Sequence, residues 1–75
     1  MKVSIERLEE IFSAAFSEKI RLDERKLRSD MPVWDSINHL NLIVELEEKL
    51  DVSFSQEEIE SIDSVSALIN ILENK

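Results

Sequence analysis

The first part of the chain contains one clear helical pattern of apolar and polar positions. Between Ser4 and Glu18, apolar side chains recur every three or four residues, and mostly polar or charged side chains stand between them. This spacing places the apolar residues on one side of an α-helix, where they can pack against the rest of the protein. The pattern therefore predicts helix one from about Ser4 to Glu18. Its apolar stripe consists of Ile5, Leu8, Ile11, Phe12, Ala15 and Phe16.

A second helical pattern begins at Asp35-Ser36 and runs to about Leu50, and its apolar residues form two separate faces around the helix axis. One face consists of Leu42, Ile43, Leu46 and Leu50, and we assign it to the core. The other consists of Ile37, Leu40 and Val44, with Glu47 beside it and Glu48 at its margin. A small bundle needs only one apolar face, so the second favours a docking surface for a partner protein. The alternative is that the long loop or helix three covers this face.

Two shorter helices are predicted near the end of the chain. The segment Ser55–Glu58 has the serine-to-glutamate spacing of a capping box, which predicts a short third helix from about residue 56 to residue 60 or 61. The pair Asp63-Ser64 offers another cap, and the apolar spacing after it predicts helix four, ending near Glu73. The sequence contains no alternation of apolar and polar residues long enough to predict a β-strand.

The segment from Ile20 to Val33 is predicted to be a long ordered loop between helices one and two. Pro32 disfavours helix at the residue before it, although a short helical turn fits around Asp23 to Leu27. We therefore expect one domain over residues 1–75 with an all-α fold, a small four-helix bundle with a short third helix and this long loop. The expected core consists of Leu8, Ile11, Phe12, Phe16, Leu42, Ile43, Leu46, Leu50, Val65, Ile69 and Leu72.

The composition excludes several classes of function. The chain has no cysteine, so disulfides, thiolate metal sites and thiol nucleophiles are excluded, and the single His39 cannot build a zinc site alone. It has no glycine, which the phosphate-binding loops of nucleotide-binding proteins require. No apolar run is long enough for a membrane span or a signal-peptide core. We expect a soluble, cytoplasmic monomer that is not an enzyme and has no stable membrane insertion.

The net charge of −8 is concentrated in one part of the chain. Acidic and basic residues are equal in number before Asp35, whereas the segment from Asp35 to Asp63 holds nine acidic residues and the single base Lys49. A field of one sign repels nucleic acid and anionic membranes and attracts basic protein surfaces. The alternative is an acidic surface that serves only solvation.

The serine of Asp35-Ser36 stands at the predicted N-terminus of helix two. Unpaired backbone N–H groups and the positive end of the helix dipole favour a phosphate at such a position, whether free or attached to the serine oxygen. The alternative is that Asp35 or Ser36 is only the N-cap, because both residue types are preferred there. The sequence thus makes Ser36 a candidate modification site.

The chain resembles the acyl carrier protein family. The resemblance rests on Asp35–Ile37, on the acidic helix that ends with Leu46–Leu50, and on Asp51–Phe54 after it. The spacing of the matching residues requires no gap. Helix one also fits the family at its place before the serine, so the resemblance covers nearly the whole domain. The remaining matching positions are Glu57, Glu58, Ile62, Val65 and Ile69.

The resemblance implies that Ser36, preceded by Asp35, receives a covalent 4′-phosphopantetheine from coenzyme A through a phosphopantetheinyl transferase. The thiol of this group would carry acyl or aminoacyl groups as thioesters between an acyl-loading ligase or transferase and a downstream synthase or acyltransferase with a basic docking surface. The partner-recognition residues implied are Ile37, Leu40, Val44, Glu47 and Glu48. In some members the acyl chain enters a pocket, whose lining here would be Leu46, Phe54, Ile62 and Leu68.

The chain departs from the usual pattern of fatty-acid carriers around the serine. Pro32-Val33-Trp34 replaces a glycine and a small residue, and Asn38 and Asn41 stand where acidic residues are common. The bulky Phe54 and Leu68 would also leave less room for a long acyl chain. These departures favour a specialised secondary-metabolite or surface-polysaccharide pathway. A housekeeping carrier in fatty-acid synthesis and an unmodified acidic interaction module are the alternatives.

Two further residues near Ser36 need an interpretation. Trp34 is expected to pack, with Leu40 or the loop as its partner, since a large aromatic residue before a helix commonly fixes the entry of the chain. His39 is expected to be an ordinary surface residue. A hydrolase triad of Ser36, His39 and an acid is disfavoured, because no strained elbow or glycine-built oxyanion site accompanies it.

Overall fold

The computed structural model describes residues 1–75 and contains four α-helices and no β-strand. The helices are α1 (Ile5–Phe16), α2 (Ser36–Leu50), α3 (Gln56–Ser61) and α4 (Val65–Glu73), and one 3₁₀ turn, Arg28–Asp30, lies in the long loop. The predicted all-α fold with a short third helix is confirmed. None of the four helices combines the length and the apolar character needed to span a bilayer.

Helix α1 begins where the sequence predicts and ends two residues earlier. The Ser4 hydroxyl accepts a hydrogen bond from the Arg7 backbone N–H at 3.1 Å and caps the helix. Ser17 adopts a left-handed conformation with φ of 57°, which stops the helix after Phe16. The chain then turns back, because the Ile20 N–H donates to the Ser13 hydroxyl at 2.9 Å.

Side-chain caps also start the last two helices. Ser55 and Glu58 form the predicted capping box, with the Glu58 N–H donating to the serine hydroxyl at 3.1 Å and the Ser55 N–H donating to the carboxylate at 2.9 Å. At α4 the Ser64 hydroxyl accepts from the Ala67 N–H at 3.1 Å. The sequence signals for both helix starts are therefore confirmed.

The long loop packs across the bundle, and its apolar residues Ile20, Leu22 and Met31 are buried. One end of it is held on α1 by the Leu22 N–H, which donates to the Glu9 carboxylate at 2.7 Å. The other end pairs with the segment before α4, where the Arg28 N–H donates to the Asp63 carbonyl at 2.8 Å. Together with the bond from the Val65 N–H to the Lys26 carbonyl at 3.0 Å, it forms the isolated bridge between Leu27 and Ser64. The loop is thus a structural layer that fixes the approach to α2.

The core contains most of the apolar residues expected in it, with two corrections. Leu50 and Ile69 are half-buried, because Leu50 ends α2 and Ile69 lies beside the inward stripe of α4. The loop contributes buried residues that helical periodicity does not identify. The buried apolar residues are Leu8, Ile11, Phe12, Ala15, Phe16, Ile20, Leu22, Met31, Trp34, Leu42, Ile43, Leu46, Phe54, Ile62, Val65, Leu68 and Leu72.

Candidate modification site

Helix α2 is capped by Asp35, which leaves Ser36 as its first residue. The Asp35 carboxylate accepts a hydrogen bond from the Asn38 N–H at 2.8 Å, and the Asp35 carbonyl accepts from the His39 N–H at 2.8 Å. Of the two candidate caps, the aspartate therefore performs this role. The serine hydroxyl is not needed to start the helix.

The Ser36 side chain is exposed, and its hydroxyl makes no hydrogen bond within the chain. The backbone N–H groups of Ser36 and Ile37 have no acceptor in the chain either, as expected for the first turn of a helix. These donors point along the positive end of a 15-residue helix. The site combines an accessible oxygen with an environment that favours negative charge on it.

The segment before the serine is held in place by side chains of the loop and of α2. The Arg28 Nε donates to the Trp34 carbonyl at 3.1 Å, and the Asn38 Nδ2 donates to the Val33 carbonyl at 2.8 Å. Sequence reasoning did not identify these contributions of Arg28 and Asn38. The sequence contains one indication of the role of Asn38: it stands where the resemblance leads one to expect an acidic residue. An asparagine amide can donate a hydrogen bond, whereas a carboxylate cannot.

The expectation that His39 lies on the surface is wrong. His39 is 6% exposed, and its Nδ1 accepts a hydrogen bond from the Trp34 indole Nε1 at 2.9 Å. Its Nε2 lies 2.8 Å from the Ile59 carbonyl oxygen of α3. Because both ring nitrogens are engaged inside the protein, the imidazole is not available as a base for Ser36.

Trp34 packs in the core, as predicted, and its ring lies among other aromatic rings. Its ring lies edge-on to Phe12 with centroids 5.1 Å apart, and it stacks on the His39 ring at 6.1 Å. Phe16 is a third aromatic neighbour at 6.2 Å. Of the two partners named from the sequence, Leu40 is mostly exposed, whereas the loop contacts Trp34 through Arg28. The tryptophan therefore joins the serine-bearing segment to α1.

The second apolar face of α2 is exposed to solvent. The exposed fractions are 73% for Ile37, 60% for Leu40 and 51% for Val44. The alternative in which the loop or α3 covers this face is therefore wrong. Glu48 is exposed near it, whereas Lys49 is paired with Glu45 on the same helix. These three apolar residues are called the exposed apolar face below.

Glu47, predicted to recognise partners, also makes a contact within the chain. Its carboxylate accepts a hydrogen bond from the Phe54 N–H at 3.0 Å, and its carbonyl accepts from the Val52 N–H at 3.3 Å. It is half-buried. Glu47 therefore fixes the connection between α2 and α3.

The four residues expected to line an acyl pocket all lie in the packed interior. Their exposed fractions range from 0% to 9%, and none of them lines any of the surface depressions of the structure. Their side chains fill the space between the helices. These residues are Leu46, Phe54, Ile62 and Leu68. No group of three or more His, Asp or Glu side chains lies in an arrangement that could hold a metal ion.

Comparison with known proteins identifies the family. No family model matches the chain. The chain is 30% identical over 76 aligned positions to the acyl carrier protein of Buchnera aphidicola subsp. Acyrthosiphon pisum (strain 5A), with 95% of each protein covered. It is also similar to the solution NMR structure of holo acyl carrier protein from Geobacter metallireducens, with a TM-score of 0.83, 30% identity, and coverage of 95% of this chain and 83% of the other. The chain therefore belongs to the acyl carrier protein family, whose members are carriers and not enzymes.

Proposed function

We propose that Ser36 is the attachment point of a 4′-phosphopantetheine group and that the chain shuttles acyl or aminoacyl groups as thioesters. The observation that carries this proposal is the exposed hydroxyl of Ser36, which is unbonded at the N-terminus of α2 while Asp35 caps the helix. The free N–H groups of Ser36 and Ile37 suit a phosphate on the serine oxygen. The group would also supply the thiol that the chain lacks, since it has no cysteine.

The proposed attachment is a phosphoryl transfer from coenzyme A. The Ser36 oxygen loses its proton and forms a bond to the phosphorus that bears the pantetheine. The bond from that phosphorus to the bridging oxygen of the pyrophosphate breaks, and adenosine 3′,5′-bisphosphate leaves with the electron pair. The chain itself contributes an accessible oxygen in a fixed position, while the phosphopantetheinyl transferase supplies the base and the magnesium ion.

We further propose that partners dock on the exposed apolar face of α2. Its centre is apolar, Glu48 is exposed at its margin, and the acidic residues of the chain are concentrated between Asp35 and Asp63. An apolar centre contributes affinity, and a rim of carboxylates attracts a basic partner surface. The transferase, an acyl-loading ligase or transferase, and a downstream synthase or acyltransferase are the proposed partners. Glu47 also belongs to this surface through its position next to the apolar residues.

We propose a specialised pathway over housekeeping fatty-acid synthesis. Leu46, Phe54, Ile62 and Leu68 fill the interior where a pocket would form, so a long acyl chain can enter only if these side chains move. A small or polar cargo that stays outside the bundle fits the closed interior without such movement. We assign such a cargo to a secondary-metabolite or surface-polysaccharide pathway.

Mass spectrometry of the intact protein tests the attachment. We expect the chain, after incubation with coenzyme A, magnesium and a phosphopantetheinyl transferase, to gain the mass of one phosphopantetheine, and the Ser36→Ala variant to gain none. Ser53→Ala, which removes another exposed hydroxyl beyond α2, is the matched control and should be modified like the wild type. A folded wild-type chain that gains no mass with several transferases would contradict the proposal and would favour an unmodified interaction module.

A further inference from the structure

A buried hydrogen bond joins the two residues that flank Ser36. Trp34 lies two positions before the serine and His39 three positions after it. The indole Nε1 of Trp34 donates to Nδ1 of His39 at 2.9 Å, and the two side chains are 2% and 6% exposed. Since both groups are shielded from water, loss of either partner leaves a buried polar atom unsatisfied. The bond therefore links the two ends of the short segment from Trp34 to His39, which contains the exposed Ser36.

The same imidazole ties this loop to α3. An indole N–H can only donate, so Nδ1 of His39 must be the unprotonated nitrogen and Nε2 must carry the hydrogen. Nε2 consequently donates to the Ile59 carbonyl at 2.8 Å. A single neutral tautomer of His39 thus bonds to Trp34 before α2 and to Ile59 on α3. The histidine thereby connects the segment before α2, α2 itself and α3.

The other side-chain bonds that hold this segment, from Arg28 to the Trp34 carbonyl and from Asn38 to the Val33 carbonyl, are only partly buried. Ile37 and Leu40, which follow the serine on α2, are mostly exposed. Asp35 caps the helix but is itself exposed. The buried anchors closest in sequence on the two sides of Ser36 are Trp34 and His39. The orientation of the first turn therefore depends on how these two side chains are bonded.

We propose that His39 is a positioning residue for Ser36, acting through Trp34 and Ile59 to hold the serine where the transferase can use it. This inference rests on the proposed function. His39 makes no hydrogen bond to the Ser36 hydroxyl, and its role is to fix the first turn of α2 relative to α1 and α3. A displacement of a reacting oxygen by about 1 Å can slow a reaction by on the order of 10²-fold. A loss of this anchor should therefore reduce modification without preventing folding.

The hydrogen bond itself is tested first, in the unaltered wild-type chain. We expect NMR of the ¹⁵N-labelled protein to show the Nε2–H tautomer of His39 and a scalar coupling between Trp34 Nε1 and His39 Nδ1 across the bond. A histidine with its hydrogen on Nδ1, or an indole N–H that exchanges like an exposed one, would overturn the proposal. This measurement does not depend on any variant being able to fold.

The positioning role is tested by the kinetics of phosphopantetheine transfer. His39→Leu removes both hydrogen bonds, Trp34→Phe removes the indole N–H while keeping an aromatic ring against Phe12, and His39→Gln retains groups that can accept and donate. We expect kcat to fall roughly tenfold or more in the first two variants, with a smaller change in KM because the exposed apolar face is unaltered. His39→Gln should recover part of the loss. Leu72→Ala, which weakens the core on α4, is the control for lowered stability.

The outcomes separate this inference from the proposed function. Folded His39→Leu and Trp34→Phe proteins that are modified at the wild-type rate would overturn the positioning role while leaving Ser36 as the attachment point. A fall in kcat of the same size in Leu72→Ala, at equal melting temperature, would assign the effect to stability alone and would also overturn it. A wild-type chain that is never modified would refute the proposed function, and the positioning role with it.

Discussion

At the scale of the residue, the start of α2 divides two tasks between neighbouring side chains. Asp35 accepts the hydrogen bond that caps the helix, and the Ser36 hydroxyl makes no hydrogen bond within the chain. A serine that capped the helix would have its oxygen occupied by a backbone N–H. The aspartate therefore makes it possible for the next residue to be modified without unfolding the first turn.

This division predicts different outcomes for substitutions at the two positions. Asp35→Ala should lower the free energy of unfolding by about 1 kcal/mol, because the Asn38 N–H loses its acceptor. Asp35→Asn keeps a capping oxygen and should cost less, and Ser36→Ala should be nearly neutral. Chemical denaturation of the three variants measures these differences. Equal losses for Asp35→Ala and Ser36→Ala would contradict the assignment of the cap.

Glu58 provides a prediction about pH. The pKa of its carboxyl is lowered from the ordinary value of 4.5, first by the hydrogen bond from the Ser55 backbone N–H and then by Lys75, while partial desolvation opposes the shift. A group whose pKa is lower in the folded state stabilises the fold above its unfolded pKa. This contribution is therefore present above about pH 4.5 and is lost as the pH falls through the lower folded value.

We expect Glu58→Gln to have a lower melting temperature than the wild type at neutral pH. This difference in melting temperature should become smaller as the pH is lowered below about 4.5. Thermal unfolding across this pH range measures the difference. Glu57→Gln removes the same charge from the same turn, at a side chain that makes no hydrogen bond in the chain, and serves as the control. A difference of the same size in both variants would show that net charge, and not the bonding of Glu58, is responsible.

At the scale of the element, α2 has an inward face that builds the core and an outward apolar face that the fold leaves open. Leu42, Ile43 and Leu46 are buried, whereas Leu40 and Val44 are exposed by more than half. The side chains of the exposed apolar face bury little surface in the monomer and therefore contribute little to its stability. We expect them to contribute to partner binding, so substitutions there should weaken binding and leave the stability of the fold unchanged.

Leu40→Gln should reduce kcat/KM for the transferase roughly tenfold, equivalent to about 1.4 kcal/mol of lost interaction, and leave the melting temperature unchanged. The reason is that 60% of the Leu40 side chain is already in solvent in the free protein. Ala14→Gln, at an exposed position on α1, is the control. Wild-type kinetics for Leu40→Gln, in a protein that is still modified, would exclude this face as the transferase-binding surface.

The elements could be predicted from the sequence because their signals are local. Capping serines and apolar spacing gave the helices to within two residues, and the angular positions of Leu40 and Leu42 separated the two faces of α2. The burial of His39 could not be predicted in this way. Its environment comes from Trp34 and from Ile59 on another helix, and no local pattern reports such a contact. The same holds for Arg28, whose partner is a backbone carbonyl.

At the scale of the whole molecule, the chain separates a neutral part from an acidic part. Residues 1–34 carry equal numbers of acidic and basic residues, while the segment from Asp35 to Asp63, which includes α2 and α3, carries the excess negative charge together with the exposed apolar face. The neutral part is joined to the acidic part by buried groups such as Trp34, whose indole donates to His39 of α2. A partner attracted by charge is thereby directed to the side of the molecule that bears Ser36.

The closed interior leads to a prediction about cargo. Leu68 is fully buried on α4, and its replacement by alanine should lower the free energy of unfolding by about 2–5 kcal/mol and leave a cavity. Because we propose a cargo that stays outside the bundle, loading it on Ser36 should change the melting temperature of Leu68→Ala no more than that of Leu8→Ala, an equally buried leucine on α1. Thermal unfolding of the holo and acylated forms of both variants measures the two changes. A larger rise in Leu68→Ala would show that the cargo enters the cavity among Leu46, Phe54 and Ile62, and would contradict the proposal.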